Sequence, residues 1–128
     1  MTPTLTIVVR GTERELTFED MASIPNLINL ATVSLRQGKA VSVREVLEDV
    51  PENASTLRLQ ASADGYSNSL PLAEASKAGL IWFAGNDGPL TTEQGGPFRF
   101  IIPNAADCKT AVLDKCGNVK HVDRIEIE

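Results

Sequence analysis

Two short apolar strands separated by a long irregular excursion constrain this chain more than any other feature. Gly95-Gly96-Pro97 makes a turn, and Phe98, Phe100 and Ile102 then alternate with Arg99 and Ile101 until Pro103 ends the run. The tail, residues 118–127, reads as the second strand, with Val122, Ile125 and Ile127 as its core positions. Residues 104–117 lie between the two and hold both cysteines. Core strands framing a long loop are a geometry in which a rigid scaffold carries a variable site. The alternation places Arg99 on the face opposite Phe98 and Phe100.

The remaining segments supply more strands and a few short helices. Residues 5–10 are rich in β-branched side chains and form a strand, 11–13 turn the chain, and 14–16 return as a second strand. Thr17 is placed to cap a helix over 18–22, with Glu19 and Asp20 in its first turn and Pro25 as its stop. Residues 26–34 read as extended or irregular, and Gln37-Gly38-Lys39 is a turn. Ser42-Val43-Arg44-Glu45 has the capping-box pattern; Val43, Val46, Leu47 and Val50 share one helical face, so a helix runs to residue 49.

Residues 56–61 alternate as a half-buried strand, Asp64-Gly65 turns a hairpin, and 66–70 return, ending at Pro71. Residues 73–78 form a helix that Gly79 stops. Leu80-Ile81-Trp82-Phe83-Ala84 is an unbroken apolar strand, buried on both faces, and residues 85–89 turn again. Strands and helices do not alternate regularly, which argues against a doubly wound parallel fold. The expected architecture is α+β, one compact domain over residues 1–128 with a mixed, mostly antiparallel sheet and short helices.

Composition narrows the partners. At 128 residues with 42% hydrophobic side chains, the chain can bury a real core. The formal charge of −5, with Lys and Arg scattered, argues against nucleic acid as a partner. No apolar stretch approaches the length of a membrane span, so no membrane partner is expected. The first residues show no charged leader before an apolar run, and a cytoplasmic location is the expectation. Asn53-Ala54-Ser55 fits a glycosylation sequon and, without a secretion signal, reads as chance.

Several segments together resemble a known family. Gly95-Gly96-Pro97-x-Arg99-x-x-x-Pro103 is followed, after the loop, by Val119-Lys120-x-Val122-x-x-Ile125-Glu126. Upstream stand Ala63-Asp64-Gly65-Tyr66-Ser67-Asn68-Ser69-Leu70-Pro71-Leu72 and Asn86-Asp87-Gly88-Pro89-Leu90. In this order and spacing they resemble the sulfite oxidase-type molybdopterin-binding domain over roughly the last three quarters of the chain. The resemblance implies the same α+β fold and a molybdopterin cofactor. It also implies that Arg99 and Lys120 hold the cofactor's phosphate, with Asn118 where the family usually has Ser. Phosphate binding requires backbone N–H groups and Lys or Arg, so the residue types suit the role.

One departure bears on the metal. The resembled enzymes hold molybdenum through a single protein thiolate, upstream of the turn before the capped helix. The corresponding stretch here is Leu27-Ile28-Asn29-Leu30-Ala31-Thr32-Val33-Ser34, which has no Cys, and the family's substrate-binding arginines are not evident near it, where only Arg36 is close. No thiolate-bound molybdenum is therefore expected.

Cys108 and Cys116 are eight residues apart, neither a Cys-x-x-Cys redox motif nor a zinc-ligand spacing. Thiols packing a loop, a disulfide or redox pair, and metal ligation together with His121 all stay open. His121 is the only histidine, so no His–His acid/base pair exists, and in the family this position is often Trp. Asp64 beside Gly65 reads as a turn residue. Ser67 and Ser69 have no nucleophile elbow, and there is no Gly-rich phosphate loop. Three functions compete. The first is a divergent molybdopterin-binding-like domain that takes a pterin or other anionic small molecule. The second is a non-catalytic module or subunit that binds a protein partner. The third is a thiol redox protein using Cys108 and Cys116.

Overall fold

The computed structural model of the chain describes residues 4–25, 27–30, 38–47, 50–62, 65–85, 88–94, 96–101 and 120–128. They build two sheets. The first has five strands in the order β2-β1-β9-β5-β6: β1 (Thr4–Val9), β2 (Thr12–Thr17), β5 (Thr56–Ala61), β6 (Tyr66–Pro71) and β9 (Arg124–Ile127). The second has four in the order β3-β4-β7-β8: β3 (Ile28–Asn29), β4 (Lys39–Ser42), β7 (Leu80–Ala84) and β8 (Arg99–Ile101). Every pairing is antiparallel except β1 with β9. The fold is α+β, as expected, but the strands divide between two sheets rather than joining one.

The two sheets face each other across a shared core. Leu5, Ile7, Leu57, Leu59 and Ile125 from the first meet Val41, Ile81, Phe83 and Phe100 from the second. Alternation on β5 follows the sequence pattern residue for residue. All five residues of β7 are buried, for the reason their unbroken apolar run suggests. Ile81 and Phe83 enter the shared core, while Leu80 and Trp82 join Leu30, Ala40, Leu90 and Ile101 in a second cluster on the far face. On the outer face of the first sheet, Arg124 Nε donates to Glu126 at 2.8 Å and its Nη2 lies 3.4 Å from Glu13 on β2. The hydrogen bond to Glu126 is the larger cause that holds the guanidinium above its ordinary pKa.

Helix α1 (Phe18–Ala22) begins as its sequence dictates. The Thr17 side chain accepts from Asp20 N–H and the Asp20 carboxylate accepts from Thr17 N–H, a complete capping box. Phe18 then packs on Phe83 with ring centroids 5.6 Å apart. The second capping box does not form. Helix α2 spans only Val43–Val46, and Ser42 makes no side-chain cap bond. Ser42 is held in β4 opposite Leu80, Val43 N–H donates to Gly79 O at 3.0 Å, and the chain is already extended at Leu47. A single turn cannot support itself; burial of Val43 and Val46 holds it, and Val50 is exposed.

Helix α3 (Leu72–Ala78) ends at Gly79, the expected stop, but not through a left-handed cap. Gly79 has φ −78° and ψ 142°, which any residue adopts. A side chain there would lie 2.4 Å from Ala75 O and 2.6 Å from the Phe100 ring. Glycine is required because helix and strand meet too closely for a Cβ. The first hairpin also turns one residue earlier than expected: Val9 pairs with Thr12, and Arg10 and Gly11 form the two-residue loop with φ 57° and 79°.

Candidate functional site

The expected site lies where β8 and the approach to β9 run side by side. Val122 N–H donates to Phe98 O at 2.9 Å, so the two segments framing residues 102–119 are directly joined. Gly96 N–H donates to Thr91 O at 2.8 Å, fixing the turn that precedes β8. A Cβ on Gly96 would meet Leu90 O at 2.3 Å, so this turn closes only with glycine. Val122, Ile125 and Ile127 are all buried, as the sequence pattern requires.

Arg99 is placed by strand alternation. Phe98 and Phe100 enter the shared core, so Arg99 emerges on the opposite face with Ile101. The register pairs Arg99 with Trp82, and its guanidinium sits 5.5 Å from the Trp82 ring centroid. Trp82 Nε1 donates to Ala84 O at 2.8 Å, which holds the indole in place as a platform. Arg99 is only 8% exposed, the one charged side chain among the buried residues described. An arginine in mid-strand would ordinarily face solvent; here it is buried beside a π-face that suits a guanidinium.

Lys120 is exposed and stands at the other side of the frame. It lies two residues before Val122, and Arg99 lies one residue after Phe98. With the Val122–Phe98 bond between them, chain dimensions limit their Cα separation to about 16 Å. Asn118, Cys108, Cys116, Asp64 and Arg36 lie outside the described residues, as does the loop expected to form the rim. So do residues 31–34 of the stretch that lacks the ligating cysteine.

His121 is half-buried and adopts a left-handed backbone with φ 59°. Such a conformation costs about 1–2 kcal/mol in a non-glycine residue. The ring offsets part of this: Nε2 lies 3.0 Å from Thr92 O, and a carbonyl only accepts, so Nε2 carries the proton. The reversal brings His121, Val122 and Asp123 against Gly96, Pro97 and Thr92 around a cleft of about 340 Å³. Neither Arg99 nor Lys120 lines it. The cleft presents the Asp123 carboxylate, whose Oδ1 accepts from Ser62 N–H at 3.1 Å, so its charge disfavours a phosphate. No signal in the sequence announces this cleft, because a left-handed histidine makes it. Trp82 was equally hidden as the partner of Arg99, although its burial was legible.

The arrangement suits anion recognition. Its cations are one stacked, buried guanidinium and one exposed ammonium, while no group of three His, Cys, Asp or Glu side chains gathers among the described residues. This donor set fits the phosphate end of a pterin cofactor. No curated protein matches the chain. The family described as the oxidoreductase molybdopterin binding domain matches residues 29–128, taking in every strand from β4 onward and both sides of the frame. The chain belongs to the oxidoreductase molybdopterin-binding domain family.

Proposed function

We propose that this protein binds a molybdopterin-type ligand through its phosphate, with Arg99 and Lys120 as the contacting cations and Asn118 as a further polar contact. The observation that carries this reading is the buried Arg99 guanidinium held on the Trp82 ring. A guanidinium fixed by stacking loses little freedom when it grips an oxyanion, and a charge-assisted hydrogen bond contributes about 1.5–3 kcal/mol. Lys120 adds a mobile point charge from the opposite side of the frame. A molybdopterin supplies redox chemistry at its metal when bound; this chain's residues supply the anchor. No Cys stands between Leu27 and Ser34, so the proposed ligand is held without a thiolate from that segment.

Trp82 is the only tryptophan and lies under Arg99, so its fluorescence reports directly on the site. The test titrates a phosphate-bearing pterin, and inorganic phosphate as a probe, into the wild-type chain, Arg99→Met and Lys120→Ala, by fluorescence and calorimetry. Loss of one charge-assisted contact corresponds to about tenfold or more in Kd. Equal affinity across all three proteins refutes the assignment.

A further inference from the structure

We propose that β6 is a homodimerisation edge, along which a second copy of this chain pairs antiparallel about Asn68. The first observation is a contrast between sheet edges. β2, at one end of the five-stranded sheet, carries Glu13, Arg14 and Glu15. Pairing β2 with its own copy about Arg14 would set Arg14 against Arg14 and Glu13 against Glu15, like charge against like. β6, at the other end, reads Tyr-Ser-Asn-Ser-Leu-Pro and has no charge at all. The edges of the four-stranded sheet, β3 and β8, span two and three residues. Natural edges are normally blunted by charge, brevity or bulges, and β6 pairs with β5 over six residues without a bulge.

The second observation is which backbone groups β6 turns outward. Thr56 exchanges both hydrogen bonds with Glu128, at 3.0 and 2.9 Å, so Thr56, Arg58 and Gln60 face β9. Leu57, Leu59 and Ala61 then face β6, and their partners Leu70, Asn68 and Tyr66 face back. Ser67 and Ser69 then direct N–H and C=O to the outer side of β6, where no strand among the described residues pairs with them. Two copies related by a two-fold axis at Asn68 pair Ser67 with Ser69 of the other copy, twice, for four backbone hydrogen bonds. The ladder stops itself: Pro71 has no N–H, and Gly65 N–H already donates to Ser62 O at 3.2 Å.

The third observation lies on the axis. Asn68 Nδ2 is buried and has no hydrogen-bond partner among the described residues. In the proposed register Asn68 faces its own symmetry mate as a non-hydrogen-bonded pair, the closer kind. Nδ2 is covered by its own chain, so pairing turns the amide outward about χ2, after which each can donate to the other's carbonyl oxygen. On the same face Tyr66, 41% exposed, meets Leu70 of the second copy. An uncharged strand, an unsatisfied amide and an exposed aromatic ring are thus all answered by one symmetry operation.

Sedimentation velocity over a concentration series tests the pairing, with circular dichroism confirming that each variant folds. The wild-type mass should rise with concentration toward that of two chains. Ser69→Pro removes an outward N–H without touching a bond to β5, and places Asn68 in the extended conformation it already has. Asn68→Asp sets two carboxylates face to face. Each should weaken dimerisation at least tenfold, while Glu13→Ser on β2 leaves it unchanged. A wild-type chain that stays monomeric throughout overturns the proposal. So does a dimer that survives both β6 substitutions or responds to Glu13→Ser.

Discussion

Gly79→Ala isolates a single steric contact, and the structure fixes both its sign and its size. Gly79 has φ −78°, so alanine meets no backbone penalty there. With open space around it, the substitution would stabilise by about 0.4–1 kcal/mol through the unfolded chain. The new Cβ instead falls 2.4 Å from Ala75 O and 2.6 and 2.8 Å from two Phe100 ring carbons. The backbone cannot retreat, since Gly79 N–H donates to Ala75 O at 2.8 Å and Gly79 O accepts from Val43 N–H at 3.0 Å. Overpacking of this kind costs about 1–3 kcal/mol. The net loss should be about 1–2 kcal/mol once the unfolded-state gain is subtracted. For a chain of this length that lowers Tm by about 3–10 °C. Thermal unfolding followed at 222 nm reads it. A double-mutant cycle with Phe100→Leu should show coupling of about 0.5 kcal/mol or more, because the smaller side chain vacates the clash. An unchanged or raised Tm for Gly79→Ala, with an additive cycle, refutes the close approach of α3 to β8.

Three further outcomes are expected. Thr17→Ala should cost about 1 kcal/mol in a urea titration because its capping box is complete, whereas Ser42→Ala should change little because Ser42 makes no cap bond. Arg10→Asn should raise Tm by a few degrees, about 0.5–1 kcal/mol, since the Arg10–Gly11 loop needs positive φ at both positions and Asn tolerates it better than Arg. Ile125→Ala, fully buried on β9 between β1 and β5, should cost about 2–5 kcal/mol, while Val50→Ala at an exposed position stays within about 0.5 kcal/mol of wild type.

Much of this molecule was legible in sequence wherever one residue's neighbours decide its state. The alternation of Leu57, Leu59 and Ala61, the unbroken apolar run of β7 and the Thr17 cap each appear as the pattern requires. Period-two alternation says which face a side chain takes, not which strand lies beside it, so the division into two sheets was not readable. The same limit hid the setting of Arg99. Its face follows from Phe98 and Phe100, but its burial depends on the register that sets it beside Trp82. At Ser42 the local pattern lost to tertiary context, because Ser42 ends β4 paired with Leu80 and the helix it opens lasts a single turn. Gly79 was identified as a stop, but the close approach of Ala75 O and the Phe100 ring that requires glycine there was not readable.

The matched family region begins at residue 29, while the sheet does not. β1 lies between β2 and β9 and pairs with β9 through Thr6–Arg124, Ile7–Ile125, Val8–Glu126 and Val9–Ile127. Thr6 N–H also donates to Asp123 O at 3.0 Å, at the foot of the candidate site. A fragment limited to residues 29–128 would lose that ladder and expose the whole edge of β9. It would also lose Leu5, Ile7 and Met21, each no more than 2% exposed. Burying one such side chain contributes about 1.5–3 kcal/mol, so the three together amount to about 5–9 kcal/mol. That is comparable to the entire stability of an ordinary domain, about 5–15 kcal/mol. The fragment is therefore expected to lack a cooperative unfolding transition, and adding residues 4–25 as a separate peptide should restore one. A 29–128 fragment that unfolds cooperatively near the wild-type Tm would show that β9 and the frame around Arg99 and Lys120 stand without β1.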